Sequence, residues 1–423
     1  MTFIEFLDLH FRLNTLTVFR AVLDDPVINA LDLCVAQAST VASLLEEDSE
    51  DEDESTPDVA AESYQLSLDY AEFVSLLFAS EAKGLSAYVL NAIVDDENVY
   101  LRRVGAGQKV APAMTAAVEA ELATFQELSD LMPSDFLDML PSVMADSLPV
   151  FDTEHVDLVG TYHDRVTHIG SYGYGMYARY HVFRVDDDGS IVPVHHPDPI
   201  RLSDLVDYER ERTIILDNTR ALVAGLPAAN ILLTGDAGTG KSSTVKAVVN
   251  ELAPEGMRIL EVRKEQLRSI PAILDELTRN PLKFVIFIDD LSFSNDDDNF
   301  AALKAILEGS VSAKSDNVAI YATSNRRHMV KERFSDREGD DVHRNDTMQE
   351  IISLSDRFGI RVSFSKPDKA TYLDIVHKLA DDADIRMDQD ELDLLAERFA
   401  TRRGGRSARG ARQFVDSLLS QQQ

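Results

Sequence analysis

From residue 1 to about 150, apolar residues recur at helical spacing. Phe3, Phe6, Leu7, Phe11 and Leu13 open a helix that the pattern carries towards Leu23, and Pro26 begins a second with Ile28, Leu31, Val35, Val41 and Leu44. Tyr64, Leu68, Phe73, Leu76 and Leu77 resume the spacing, and further helices are predicted over Leu85–Val104 and Ala113–Leu131. The middle of the chain reads differently. Tyr177–Val185 is strand-like, Asp186 to Gly189 supplies turn chemistry, and Ile191–Val194 returns, which predicts a β-hairpin. A helix is expected over Glu209–Val223. From Asn230 onward, short apolar runs alternate with helical stretches. The strands are Asn230–Thr234, Met257–Val262, Phe284–Asp289, Val318–Thr323 and Ile360–Phe364, and the helices between them are Ser243–Leu252, Lys264–Thr278 and Phe300–Leu307. Such alternation predicts a parallel sheet covered by helices. After Pro367 the pattern is helical to the end. The resulting organisation is a helical domain over 1–150, a connecting segment with the hairpin over 151–197, an α/β core over 198–366 and a helical lid over 367–423.

Composition adds limits. With 423 residues, 44% hydrophobic and 27% charged, the chain has room for two or three globular domains. No apolar run approaches the ~20 residues of a membrane span, and the first residues lack the basic region of a signal peptide. The single cysteine, Cys34, lies in an apolar helical stretch and has no internal disulfide partner. These features predict a cytoplasmic protein with no membrane contact. Between Glu46 and Glu54 every residue but Ser49 is acidic, so 46–58 reads as a flexible linker. The net charge of −33, from 41 basic and 74 acidic residues, argues against a general polyanion binder, although a local nucleic-acid contact stays possible. His195 and His196 have no neighbours that complete a metal-ligand set and read as a polar pair on a linker.

The stretch that carries chemistry follows the strand ending at Thr234. Gly235, Asp236, Ala237, Gly238, Thr239, Gly240, Lys241 and Ser242 fill every fixed position of G-x-x-x-x-G-K-S. Glycines let consecutive backbone N–H groups turn around a phosphate chain, and the helix from Ser243 adds the partial positive charge of its N-terminus. Lys241 has the reach for the terminal phosphates of a nucleotide, and the Ser242 hydroxyl is a Mg²⁺ ligand of the expected kind. Roughly fifty residues downstream, the apolar run Phe284 to Ile288 ends in Asp289 and Asp290. A buried parallel strand delivers these carboxylates to the sheet edge where ligands bind. Asp289 is placed to hold Mg²⁺ through water, and Asp290 to orient or deprotonate an attacking water. The strand from Val318 ends in Thr323, Ser324 and Asn325, which puts a neutral hydrogen-bonding group at the same edge. Arg326, Arg327, Arg333 and Arg337 follow, then Arg357 just before the last strand. Six arginines and no acid stand between Arg398 and Arg412; in so acidic a chain they point to an anion, with bound nucleotide first, nucleic-acid phosphate second, and a solvated helix face as the plain alternative.

This order of motifs, completed by Ser355-Asp-Arg-Phe-Gly359 and Ala411-Arg-Gln-Phe414, resembles an AAA+ ATPase. More narrowly, residues 172–418 resemble an uncharacterised bacterial ATP-binding family, the domain of unknown function numbered 815. The resemblance rests on Tyr-Gly-Tyr-Gly-Met at 172–176, Asp-Pro-Ile-Arg-Leu-Ser-Asp-Leu at 198–205, Gly-Thr-Gly-Lys-Ser-Ser at 238–243, Phe-Ile-Asp-Asp-Leu-Ser-Phe at 287–293 and Tyr-Ala-Thr-Ser-Asn-Arg-Arg-His at 321–328. It implies an α/β P-loop core with a C-terminal helical lid and a helical N-terminal domain. It implies ATP and Mg²⁺ as cofactors, Lys241, Ser242 and Ser243 in the first Walker motif, Asp289 and Asp290 in the second, and Asn325 as the first sensor. Arg357 then matches the arginine finger inserted into a neighbour's site, which implies a homo-oligomer. Arg412 matches the second sensor, with Arg409 one turn earlier as the alternative. Two positions depart from the pattern. Aspartate at 290, where most relatives carry glutamate, is similar to the helicase-loader branch and implies slow hydrolysis. Val206-Asp207 stands where many relatives place an apolar residue and glycine against the adenine. The implied function is ATP hydrolysis driving conformational change in an assembly with an unknown protein partner. The alternative is a nucleotide-gated loader or adaptor with little turnover. A small-molecule kinase lacks an acceptor site, and a GTPase lacks the Asn-Lys-x-Asp motif.

Overall fold

The structure, a computed structural model, describes residues 1–48, 57–291, 302–304, 306–307, 316–325 and 356–422. They form two compact units: residues 1–169 with 174–179, and residues 170–173 with 180–423.

The first unit is helical. Its helices are α1 (Phe3–Asn14), α2 (Pro26–Asp48), α3 (Pro57–Ala79), α4 (Leu85–Val94), α5 (Val99–Gly105), α6 (Pro112–Ser129), the short α7 (Pro133–Leu137) and α8 (Ser142–Ala145), and α9 (Leu158–Thr167). Two short helices follow, α10 (Ile169–Tyr172), most of which belongs to the second unit, and α11 (Met176–Arg179) of the first. One core of apolar side chains joins α1 to α9, with Phe6, Phe19, Tyr70, Phe73, Phe125 and Phe136 fully buried. α1 stops at Asn14, short of the Leu23 that periodicity suggests. The Thr15 hydroxyl donates to the Phe11 and Arg12 carbonyls. The backbone N–H groups of Thr17, Val18 and Phe19 then turn onto the Glu121 carboxylate at 2.8, 3.1 and 2.9 Å. Glu121 is 8% exposed, and these donors satisfy a charge that burial would otherwise penalise heavily. The predicted helix over 85–104 splits into α4 and α5, because the Asn98 side chain accepts from the Leu101 N–H at 3.0 Å and starts a new helix. α2 and α3 enter the stretch read as a linker from both sides; residues 49–56 of that stretch lie outside the described residues.

One correction concerns α2. Its segment Pro26–Glu46 is long and apolar enough, by length and composition, to cross a membrane, which the sequence reading did not anticipate. Here Ile28, Leu31, Cys34, Val35, Ala38 and Val41 are buried in the helical core. Burial on more than one side makes an internal helix apolar nearly all round, which is also the composition of a span.

The second unit is a seven-stranded sheet with helices. The strands are β1 (Val182–Val185), β2 (Ile191–Pro193), β3 (Ile231–Gly235), β4 (Met257–Glu261), β5 (Lys283–Ile288), β6 (Val318–Ser324) and β7 (Ile360–Phe364), in the order β2-β1-β4-β5-β6-β3-β7. Among the described residues only β1 and β2 pair antiparallel, as the predicted hairpin; the other pairs are parallel. The strand expected over Tyr177–Val185 is shorter, since Met176–Arg179 is a turn of helix and extended backbone pairs from Val182. From Phe284 to Ile288, β5 is buried at every residue, as a strand covered on both faces must be. The covering helices include α12 (Glu209–Val223), α13 (Lys241–Leu252) and α14 (Ile270–Leu277). The helix expected over 264–278 opens as a 3₁₀ stretch, and the α-helix begins at Ile270, with Pro271 in its first turn where a missing N–H costs nothing. Tyr321 of β6, fully buried, ties α12 to the sheet: its hydroxyl sits 2.9 Å from Asn218 Nδ2 and 2.8 Å from Thr219 Oγ1. Three C-terminal helices, α15 (Lys369–Asp382), α16 (Gln389–Arg402) and α17 (Ala408–Gln422), share a separate apolar cluster around Tyr372, Val376, Ala396, Ala411 and Phe414. Of the predicted helix over 300–307, only 302–304 and 306–307 lie among the described residues, and these are helical.

Candidate functional site

The sheet order puts β3 between β6 and β7, so the turn leaving β3 opens at the C-terminal edge beside the end of β6. That turn is the glycine-rich loop, and α13 begins at Lys241 within it. Gly235, Gly238 and Gly240 have φ of 141°, 77° and 92°. At Gly235 the requirement is also steric, for a Cβ would lie 2.0 Å from the Phe364 carbonyl oxygen of β7.

A cleft of about 460 Å³ lies over this edge. Its floor is formed by Ala237 to Thr244, with Asp289, Asp290, Thr323 and Asn325 from the ends of β5 and β6. Lys241 is 4% exposed, and its ammonium donates to the Gly235 and Asp236 carbonyls at 3.0 and 2.8 Å and to Asn325 Oδ1 at 2.9 Å. Burial lowers its pKa from the ordinary lysine value, while Asp289, Asp236 and Asp290 act to raise it and Arg409 adds to the lowering. The Ser242 hydroxyl donates to Asp289 Oδ1 at 2.6 Å. The same carboxylate oxygen takes the Thr323 hydroxyl at 2.5 Å, and Thr323 Oγ1 accepts the Asp290 N–H at 2.9 Å. Asn325 donates its amide to Asp290 Oδ1 at 2.6 Å. Thus Asn325 bridges the lysine ammonium and the second carboxylate. Asp290 has φ of 53°, left-handed backbone that a non-glycine residue adopts at a cost of ~1–3 kcal/mol.

The remaining walls come from two places. One is the segment from Ile200 to Tyr208; the other is the lid, through Ile375, Leu379, Ala408, Arg409 and Arg412. Arg409 lies close against the loop: its backbone N–H donates to the Gly238 carbonyl at 3.3 Å, and a Cβ on Gly238 would be 3.2 Å from the Arg409 Cβ. Arg412 lines the same cleft one turn later. Of the other arginines in that cluster, Arg406 pairs with Glu397 at 2.6 Å, and Arg403 lies over the Phe399 ring, 5.4 Å from its centroid. These two have partners within the lid, Arg398 and Arg402 do not line the cleft, and the anion argument narrows to Arg409 and Arg412.

Gly235 and Asp236 meet Lys241 through their carbonyls, and Ser243 lines the cleft. Arg357, which precedes the buried Phe358 and β7, is not among the residues lining the cleft. Arg326, Arg327, Arg333 and Arg337 lie outside the described residues. His195 stacks edge-on against Tyr180 with centroids 5.1 Å apart, and no His, Cys, Asp and Glu cluster of three or more suits a metal among the described residues. Sequence reasoning missed the role of Thr323, whose hydroxyl joins both carboxylates; its position at a strand end beside Asn325 was the available signal. It also missed Tyr208, which caps the cleft segment. The Tyr208 ring lies 5.1 Å from that of Phe364, and its hydroxyl donates to the Ser365 carbonyl at 2.5 Å.

The parallel part of the sheet is ordered β4-β5-β6-β3-β7, which sets the phosphate-loop strand between β6 and β7, and the C-terminal helices reach the loop through Arg409. Among solved structures, the chain is similar to the Thermotoga maritima RuvB Holliday junction branch migration motor, with 16% identity over 52% of this chain and a TM-score of 0.35. It is also similar to the replication initiator DnaA bound to AMPPCP and single-stranded DNA, with 15% identity over 53% of this chain and a TM-score of 0.38. The matches span 63% and 66% of those chains. No curated protein matches the sequence. Residues 178–422, more than half of the chain, match the family described as protein of unknown function DUF815, and the chain belongs to that family.

Proposed function

We propose that this protein binds ATP with Mg²⁺ and hydrolyses it to change the conformation of an assembly. The observation that carries the reading is the state of Lys241. A buried ammonium held by two carbonyls and an amide oxygen, with no carboxylate in direct contact among the described residues, sits beneath a loop of backbone N–H groups. An arriving phosphate chain supplies the anion that this arrangement lacks. The donor set also suits a hard divalent cation: the Ser242 hydroxyl and an Asp289 oxygen are already 2.6 Å apart, and Mg²⁺ is commonly held by one or two such oxygens plus substrate phosphates. When bound, the ion neutralises charge on the terminal phosphates. The chain's own residues do the rest. Lys241 and the loop hold phosphate, Thr323 fixes the Asp289 carboxylate, and Asp290, held by Asn325, orients water and takes its proton. Arg409 and Arg412 approach the phosphates from the lid.

A second reading, a nucleotide-gated loader in which turnover is incidental, is favoured by Asp290 itself. Its short side chain is tied to Asn325 at 2.6 Å and stands on left-handed backbone, so its reach towards a water is limited. The partner fits a protein better than a polyanion under either reading. Residues 1–179 carry 32 acidic and 8 basic residues, a net charge of −24, which repels nucleic acid and attracts a basic protein face.

Titration of the full chain with ATP and Mg²⁺ tests the binding, with Lys241→Ala as the control. Wild type should bind and the variant should not. Equal affinity in both sinks the site. Steady-state turnover of wild type against Asp290→Asn then separates machine from switch. A fall of ~10²–10⁴ with binding intact supports hydrolysis, and negligible wild-type turnover supports the loader.

A further inference from the structure

We propose that the Asp207 carboxylate accepts a hydrogen bond from the 6-amino group of adenine, and so selects ATP against 6-oxo purine nucleotides. The inference rests on the ATP reading above and concerns only the base.

The loop and Lys241 fix the phosphate end of the cleft. The apolar lining lies elsewhere, on Val206, Ile375, Leu379 and Ala408. Val206 packs against the apolar cluster of the lid, to which Leu379 and Ala408 also belong. A purine has two apolar faces and a polar edge, so its faces belong between such walls and its edge meets whatever polar group shares the strip. Of the two carboxylates in the strip, Asp204 already accepts the Arg201 N–H at 2.8 Å and the Ser203 hydroxyl at 3.2 Å. Tyr208 is bound to the Ser365 carbonyl, and Arg212 donates to the Leu202 and Leu205 carbonyls at 3.1 and 2.9 Å while its buried Nε, a donor, has no partner among the described residues. Asp207 is the acceptor left open. It lines the cleft, is half-buried, and its carboxylate has no hydrogen-bond partner among the described residues.

Its backbone explains how it comes to face the cleft. Asp207 and Tyr208 both have φ of 61°, two successive left-handed residues that turn the chain sharply into α12. Ring contact between Tyr208 and Phe364, the Arg212 bonds to the preceding carbonyls, and a Lys378 bond to the Ser203 carbonyl hold that turn. A carboxylate accepts and does not donate. It therefore matches the amino group of adenine and opposes the 6-oxo group of guanine or hypoxanthine.

The test compares affinities for ATP, inosine triphosphate and 2′-deoxy-ATP, each with Mg²⁺, in wild type and in Asp207→Gly. Glycine keeps the left-handed backbone available, and an unchanged melting curve of the free protein checks the fold. Wild type should prefer ATP to inosine triphosphate by about ten- to a hundredfold, the usual worth of a hydrogen bond to a charged group. Asp207→Gly should bring that ratio near one, chiefly by weakening ATP. A ratio that is the same in both proteins overturns the proposal. So does a variant that loses its preference for ATP over 2′-deoxy-ATP while keeping the base preference, since Asp207 would then hold the ribose. Absence of any nucleotide binding in wild type is a different failure, that of the ATP reading, and the proposal falls with it.

Discussion

Asn325 and Lys241 meet at 2.9 Å, amide oxygen to ammonium, while the amide nitrogen of Asn325 is spent on Asp290 at 2.6 Å. One neutral side chain thereby joins the loop lysine to the second carboxylate, the groups that under the proposed function grip phosphate and handle water. Neutrality matters here, because a carboxylate at 325 would compete with the nucleotide for the lysine. Asn325→Ala should leave ATP affinity within a few-fold and slow turnover by ~10²–10³, the range seen when a positioned polar group is lost from an active site. Asn325→Asp should instead weaken ATP binding. Binding isotherms and steady-state rates for the two variants check both statements, and equal affinities would remove the electrostatic argument.

The loop's entry is set by β7. A methyl group on Gly235 would meet the Phe364 carbonyl oxygen at 2.0 Å, and the backbone there has φ of 141°. Neither backbone can give way cheaply, since Leu233 and Gly235 pair with Val362 and Phe364 in register. Gly235→Ala should therefore cost about 2–5 kcal/mol, from strained backbone and overpacking together. Denaturant midpoints measure it. A shift below 1 kcal/mol, on the order of a surface substitution, would mean the loop is looser than this contact implies.

The parts that were legible in the sequence share a physical feature: their signal is local. The loop from Gly235 to Ser242 is contiguous, and β5 announces itself by five apolar residues closed by Asp289 and Asp290. Long-range features were not legible. Nothing near Glu121 in sequence says that it will take the N–H groups of Thr17 to Phe19, about a hundred residues away, and so end α1 early. Thr323 read as a strand end, because its bonds to Asp289 and Asp290 depend on β5 and β6 being neighbours. The apolar wall of the cleft came from Ile375 and Leu379, which look in sequence like any helix core.

His181 gives the pH dependence a defined sign. Its ring lies 3.2 Å from Asn250 Oδ1, and burial lowers its pKa below the ordinary 6.5 although that hydrogen bond acts to raise it. The unfolded chain therefore binds the proton more readily than the folded one. The His181 contribution to stability is fully present above 6.5 and is lost as the pH drops below that value, until the folded-state pKa is passed. His181→Gln keeps a partner for Asn250 without titrating. Its melting temperature should change less than that of wild type as the pH falls below 6.5. Parallel curves for the two proteins would assign the acid sensitivity elsewhere.

The final prediction concerns Arg357. It stands between Asp356, which pairs with Arg361, and the buried Phe358, and it is not among the residues lining its own chain's cleft. An arginine that completes a phosphoryl-transfer site from a neighbouring subunit has to lie off its own site, and such a residue is worth ~10³–10⁵ in rate. Under the oligomeric reading, Arg357→Ala should bind ATP normally and fail to hydrolyse it, while Lys241→Ala should fail to bind. Each homogeneous preparation is then inactive for a different reason. Mixing them creates interfaces at which an intact loop on one subunit faces an intact arginine on the next, so part of the activity should return. A local role for Arg357, tying the end of a helical turn to β7, predicts no recovery and at most a small loss of stability, as exposed ion pairs contribute little. Turnover per subunit provides the independent check: it should rise with protein concentration if the site is shared between subunits. Constant specific activity together with failed complementation would identify a chain that works alone.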